Sequence, residues 1–384
     1  MALLNSINYE AKTDLVKLVS TLRTQGHSAN LVAAVMTQAK LRKRGAAKFG
    51  EFANQMLFTE AGLEQASRLS VAARHAGRFR NAGITQVADL GCGIAAESLA
   101  LAAIGIKVNA FEIDEVTAAI AQYNLNAFEN ASVEIADVTA IDLNSFEALF
   151  FDPARRELTG PNRAKAIRKF DPSSFSPNFD WVVEKAKTKP TAIKLGPGHP
   201  HDGIPEDCEA QWVSVDGDLV ELGLWFGKLA RPNVKRAALL ITATETFEIS
   251  SEVSEVGHAP LGELEQYLFE PDNSVVRSHL IALLAEQTKT HSFSSDIAYL
   301  TSNEKVDSPW LRGFRVIDNL AFDRKKLKAY LKEKSIGILE IKKRGSDIVP
   351  EQLRKELQLK GKNSATLIVT RVAGAHRALI CEPL

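Results

Sequence analysis

Cysteine is scarce: Cys92, Cys208 and Cys381 are the only three in 384 residues. So few thiols, so widely scattered, exclude a disulfide framework and a cysteine-rich zinc cluster. Long apolar runs are missing too. None reaches the eighteen or so residues a membrane helix requires, and "SLALAAIGI" stops at Lys107. The start, "MALLNSINYE", lacks a basic leader followed by an apolar stretch, so no secretion signal and no membrane partner are expected. The expected location is the cytoplasm. Proline is absent from Tyr9 to Arg80. Apolar residues there recur at three- and four-residue spacing ("LVKLVSTL", "LVAAVMTQAKL", "GLEQASRLSVAARHA"), which predicts a helical N-terminal module over 1–80.

The formal net charge is zero, but the charge is partitioned along the chain. Residues 1–80 carry 12 Lys and Arg against 5 Asp and Glu, and residues 311–384 carry 17 against 8. The middle, 81–310, holds 18 against 34. Basic ends suit a polyanion, because each neutralised phosphate releases counterions. Solvated lysine faces on helices would give the same count.

After residue 80 the pattern changes to short apolar runs separated by helical stretches: "QVADLGCG", "KVNAFEID", "VEIADV", "EALFFDP" and "TAIKLGPG". Such runs predict an α/β domain over 81–245, with a parallel sheet covered by helices on both faces. "EAQWVSVDGDLVELGLWFG" and "RAALLITATE" read as long strands around an Asp-Gly turn and look antiparallel. Residues 246–310 carry no clear pattern and are expected to connect. From 311 to 384, basic helical runs alternate with strands, predicting a small α+β domain.

"VADLGCGIAAES" is a strand that opens through Gly91 and Gly93 into a helix. Glycines there let backbone approach a ligand, and the helix start presents free amides. Dinucleotide-binding proteins use the same spacing. Asp89, two residues before Gly91, would repel a pyrophosphate but suits the ammonium of an amino-acid tail. This favours S-adenosylmethionine over NAD. Glu112, 21 residues after Gly91, can accept ribose hydroxyls, and Asp137 can accept from the adenine amino group. Three acids closing three successive parallel strands converge on one sheet edge.

These residues resemble class I S-adenosylmethionine-dependent methyltransferases, with their Rossmann-like sheet and D-x-G-x-G motif. The resemblance implies Asp89, Gly91 and Gly93 around the methionine end, Glu112 on the ribose and Asp137 at the adenine. Cys92 only packs. The fourth strand ends in "FFDPARR", similar to the [DNS]-P-P-aromatic motif of methyltransferases acting on exocyclic base nitrogens. Asp152 and Pro153 match its first two places and are the expected catalytic pair. Ala154 and Arg155 replace the second proline and the aromatic, so a stacking surface would have to come from Phe151, an arginine plane or Trp181. Arg155 and Arg156 suit phosphate contacts.

Upstream, Phe58 and Thr59 sit where trimethylguanosine-synthase-like RNA methyltransferases close a segment over the cofactor, though core packing and capping would equally use them. Lys194, His199 and His201 follow the fifth strand, without a third ligand cluster that would suggest a metal. Together with "EIKKRGSDIVPEQLRKELQLKGKNSATLIVTRV", the chain resembles bacterial methyltransferase-fold proteins with a C-terminal THUMP-like domain. That resemblance implies an RNA substrate, tRNA or rRNA, gripped by Lys342, Lys343 and Arg344. The competing expectations are methylation of a small-molecule or protein amine, and an RNA-binding protein that keeps the fold without turnover.

Overall fold

A computed structural model describes residues 1–7, 9, 14–155 and 174–384. It divides into two compact units, the first made mainly of residues 1–195 and the second mainly of 232–384.

The first unit begins with helices α1 (Leu15–Thr24), α2 (Ala29–Phe49), α3 (Glu60–Gln65) and α4 (Leu69–Asn81). Each of the first three starts on a side-chain oxygen that satisfies an otherwise unpaired amide: Asp14, Ser28 and Thr59. Gly50, at φ 57°, ends α2. The alternating region follows as β1 (Gln86–Leu90), α5 (Ala96–Ala103), β2 (Lys107–Glu112), α6 (Glu115–Leu125), β3 (Ala131–Ile135), β4 (Ala148–Phe151), α7 (Phe179–Ala186) and β5 (Thr191–Leu195).

β1 pairs in parallel with β2 on one side and β4 on the other, β2 with β3, and β4 with β5. All of β4 and four of the five residues of β1 are buried, as strands covered on both faces must be. The core around them contains Phe79, Val87, Leu101, Val108, Phe150 and Trp225. Leu90 lies opposite both Phe111 and Phe151. The residues that follow, Gly91, Glu112 and Asp152, therefore leave the sheet together. This edge, where β1 is followed by strands on opposite sides, is where open α/β sheets bind ligands.

In the second unit, β6 (Glu209–Val215) precedes β7 (Asp218–Phe226), whose last residues belong to the first unit, then β8 (Arg236–Ile241) and β9 (Thr246–Ser251). The antiparallel expectation needs one correction here. β6 and β7, neighbours joined by the Asp216-Gly217 turn, are antiparallel as expected, and β8 pairs antiparallel with β9, but β6 and β8 pair in parallel. The chain between β6 and β8 is long enough to return to the starting end, so the Asp216-Gly217 turn does not govern that pairing.

Residues 246–310, patternless in sequence, supply β10 (Tyr267–Pro271), short helices α8 (Asn273–Arg277) and α9 (Ile281–Thr288), and β11 (Leu300–Ser302). β10 lies between β11 and β12 (Leu311–Ala321), antiparallel to both. The sheet continues through α10 (Arg324–Glu333), β13 (Ile336–Lys343), α11 (Pro350–Leu357), β14 (Asn363–Val372) and β15 (Ala375–Pro383). β15 pairs antiparallel with β12 and β14, while β13 and β14 are parallel. Leu327, Leu331, Leu353 and Leu357 from the two helices cover Leu367 and Ile380. Among the described residues no helix is long and apolar enough to cross a membrane, and no group of His, Cys, Asp and Glu could hold a metal ion.

Candidate active site

The β1 tip is built around a buried acid. Asp89 is 1% exposed, its Oδ2 accepts from the Ser98 hydroxyl at 2.5 Å, and its Oδ1 has no partner. Burial, supplemented by the Glu97 and Asp152 charges, pushes its carboxyl up to about 7 against the Ser98 hydrogen bond and Lys194. Behind it, Glu97 Oε2 and His75 Nδ1 meet at 3.1 Å, both buried. Burial alone would raise the Glu97 carboxyl, but the facing His75 outweighs it and holds the group below its ordinary value.

The loop after Asp89 turns on positive φ at Gly91 (89°), Gly93 (54°) and Ala95 (70°). A side chain at Gly91 would stand 3.6 Å from the Asp152 carbonyl oxygen, so the β1 and β4 tips touch there. Phe111 O accepts from both Gly91 N and Cys92 N at 3.0 Å, joining the loop to β2. Glu112 Oε2 accepts from Gly93 N and Oε1 from Asp114 N, each at 3.0 Å, so this acid already orders the glycine loop. Asp137, following β3, accepts from the Thr139 hydroxyl at 2.7 Å and the Thr139 amide at 2.9 Å. Those bonds hold its carboxyl below the ordinary range.

An S-adenosylmethionine tail carries an ammonium. A buried carboxylate with one unpartnered oxygen, beside glycines whose backbone is open to a ligand, matches that charge, so the residues present fit the cofactor.

At the β4 tip, Asp152 is half-buried and Pro153 buried. Lys194, closing β5, donates from Nζ to Asp152 Oδ2 at 2.5 Å and to Gln65 O at 3.0 Å. Lys48, on α2, donates to Glu64 O at 2.6 Å and Ala66 O at 2.7 Å. Three consecutive carbonyls at the C-terminal end of α3 thus accept from two ammonium groups. Burial, then the Lys194 and Arg68 charges, lower the Lys48 ammonium to about 8, with Glu64 and Asp152 opposing.

The segment 56–66 lies over the glycine loop. Leu57 N donates to Asn124 Oδ1 at 2.8 Å, and Asn124 Nδ2 donates to Leu57 O at 3.1 Å and Ile94 O at 3.0 Å. Gln38 pairs with both backbone groups of Phe58. A Cβ at Gly62 would fall 2.4 Å from Ile94 Cγ2 and 2.6 Å from Thr59 Oγ1. Gly62→Ala should therefore lower stability by about 1–3 kcal/mol and weaken cofactor binding by displacing the loop. Thermal melts with and without cofactor would check it.

Several expected residues stand elsewhere in the chemistry. Phe58 is 1% exposed, in a core with Leu41, Phe49 and Ile94, and Thr59 caps α3 through its hydroxyl. The core-and-cap reading describes both, and the Phe58 ring is not a surface for a ligand. Phe151 is fully buried, edge-on to Trp181, which removes it as a stacking platform. Lys342 Nζ donates to Glu270 Oε2 at 2.6 Å, and Arg344 Nη1 donates to Ala298 O at 2.7 Å. Neither presents its charge outward as the sequence suggested; Lys343, between them, is exposed. Arg155 falls in a two-residue strand paired with Phe175–Ser176, and Arg156 lies outside the described residues. His199 is buried against Phe175 and Phe179. Sequence reasoning missed Ser98, Asn124 and the Lys194 pairing; only the position of Lys194 at a parallel strand end was a usable signal.

A family model described as THUMP domain-like matches residues 311–383, and a domain of unknown function, DUF8688, matches residues 1–45. Two sequences from Mycobacterium tuberculosis strains CDC 1551 and H37Rv, each described as an uncharacterized S-adenosylmethionine-dependent methyltransferase, are 30% identical over 356 residues. The match covers 89% of this chain and 95% of theirs. A crystal structure from Porphyromonas gingivalis W83, assigned as a methyltransferase, superposes with a TM-score of 0.70 at 18% identity, covering 98% of this chain and 99% of that one.

Proposed function

We propose that this chain, which belongs to the S-adenosylmethionine-dependent methyltransferase family, moves a methyl group to a base nitrogen of structured RNA, tRNA or rRNA. The observation that carries the reading is the Asp152-Pro153 step at the β4 tip, in contact range of the glycine loop. When bound, S-adenosylmethionine supplies a sulfonium methyl group open to in-line displacement. Asp89 would hold the ammonium of its tail, Gly91 and Gly93 would admit it, and Glu112 and Asp137 would meet the ribose and adenine. Asp152 would accept an acceptor N–H and turn the nitrogen lone pair toward the methyl carbon, with Pro153 fixing the turn. Such a step needs orientation rather than a strong base.

Support for RNA comes from the THUMP domain-like match and from the charge of the same region. Lys325, Lys326 and Lys332 on α10 are exposed, as are Lys360 and Lys362 before β14 and Lys343 at the end of β13. We place the backbone grip on this surface instead of on Lys342 and Arg344. Lys325→Glu with Lys332→Glu should weaken RNA binding and flatten its salt dependence by about one unit of slope per lost phosphate contact. Filter binding across a salt series would read both. Deleting 311–384 is a poorer test, because β10 would lose its β12 partner.

The decisive experiment is nucleoside mass spectrometry of RNA from cells lacking the protein. One methylated nucleoside should disappear and return with the wild-type chain but not with Asp152→Ala. An unchanged nucleoside profile, with methyl transfer to a small or protein amine in its place, would overturn the RNA reading.

A further inference from the structure

We infer that Trp181 is the ring on which the acceptor base stacks beside Asp152. The inference rests on the reading of the acceptor as an RNA base and deepens it by naming the surface that holds its plane. An acceptor nitrogen is aimed only when the plane of its base is fixed, and stacking on an aromatic ring fixes it. The β4 tip itself offers no such ring: Phe151 is fully buried, and Pro153 and Ala154 follow Asp152.

The fold brings one from the next element. β4 and β5 are parallel, so α7, which crosses between them, runs back against both and begins at the edge where β4 ends. Trp181 lies in the first turn of α7, and its indole meets Phe151, the residue before Asp152, edge-on with ring centroids 5.9 Å apart. Asn178 Oδ1 accepts from Asp180 N at 2.9 Å and from Trp181 N at 3.3 Å, which fixes the backbone that carries the ring. Exposure sets this tryptophan apart. Trp212 and Trp225 are fully enclosed and Trp310 is 6% exposed, whereas Trp181 is half-buried. Lys185, one turn further along α7, sets its ammonium 5.5 Å from the Trp181 ring centroid. A cation-π contact at a partly exposed site is weak, so the lysine can yield that ring face to a base, whose π-face any aromatic ring accepts. An indole serving only the core would be covered, as those of Trp212 and Trp225 are.

The test uses the full-length protein with S-adenosylhomocysteine, which permits binding without turnover, and a molar excess of bulk RNA from cells lacking the protein. Tryptophan emission is excited at the red edge, where nucleotides absorb little. RNA should lower acrylamide quenching of the wild type to the level of Trp181→Phe without RNA, because the other tryptophans are enclosed. In separate assays with labelled S-adenosylmethionine, Trp181→Leu should lower the rate at subsaturating RNA by about 10- to 100-fold. Trp181→Phe, which keeps a ring, should stay within about threefold of wild type, and the cofactor dissociation constant of both variants should stay within about threefold. The quenching of the wild type decides the matter if Trp181→Leu does not fold. A full rate in Trp181→Leu, or RNA that is methylated yet leaves the quenching unchanged, would overturn the inference and leave the Asp152 reading intact. Methyl transfer by the wild type to a small or protein amine and to no RNA would overturn the RNA reading itself.

Discussion

Replacing Asp152 by alanine should reduce methyl transfer by about 10²- to 10⁴-fold and leave cofactor affinity within about threefold of wild type. The side chain sits at the β4 tip and its carboxylate is paired with Lys194. The cofactor tail is instead assigned to Asp89 and the glycine loop. Removing the Asp152 carboxylate takes away the group that orients the acceptor, and misorientation at an in-line displacement is costly. Asp152→Asn should fall between alanine and wild type: an amide oxygen still accepts an N–H, but the ion pair with Lys194 is gone. Single-turnover rates beside calorimetric cofactor binding separate the two properties. Equal loss of both in Asp152→Ala would mean that Asp152 supports the cofactor and not the acceptor.

The second large effect concerns Asp89. Burial, with one oxygen lacking a partner, pushes its carboxyl up to about 7. An incoming ammonium favours the ionised form, so cofactor affinity should rise by roughly tenfold from pH 6 to pH 8. Binding below about pH 7 should release a proton from this group, and binding at pH 8 should release almost none. Asp89→Asn should bind about 10- to 100-fold more weakly at pH 8 and lose the pH dependence.

The folding stability runs the opposite way. A folded-state value above the unfolded one means that the stability this group contributes is present at low pH and lost as pH rises through about 7. Asp89→Asn should therefore raise the melting temperature of the cofactor-free protein most at pH 8, less at pH 5, and little below the ordinary carboxylate value of 3.8. Titration calorimetry at several pH values and paired melts check both signs. An affinity that does not vary with pH would remove Asp89 from the cofactor site.

What could be read from the sequence follows a physical divide. The glycine loop was legible because its chemistry is local: Asp89, Gly91 and Gly93 fall within five residues, between a buried strand and a helix. Strands β1, β4 and β5 were legible because burial on both faces leaves a continuous apolar run. Partnerships set by the fold were not. Lys194 is 42 residues from Asp152, and nothing local marks the pair. Glu97 and His75 are 22 apart, each looking like an ordinary polar residue of an amphipathic helix. Lys342 and Arg344 misled for the same reason. Their run of basic residues suggested an outward patch, but Glu270, 72 residues upstream of Lys342, draws that lysine inward. Residues 246–310 had no readable pattern because their strands are short and find partners far along the chain.

The Asn124 side-chain amide joins Leu57 to Ile94, while Gln38 holds Phe58 and two lysines hold the far end of the same stretch. Such multipoint anchorage disfavours gradual peeling from either end. Residues 56–66 should thus release in a single cooperative event, with hydrogen-exchange rates across the stretch converging on one common opening rate that slows when cofactor is added.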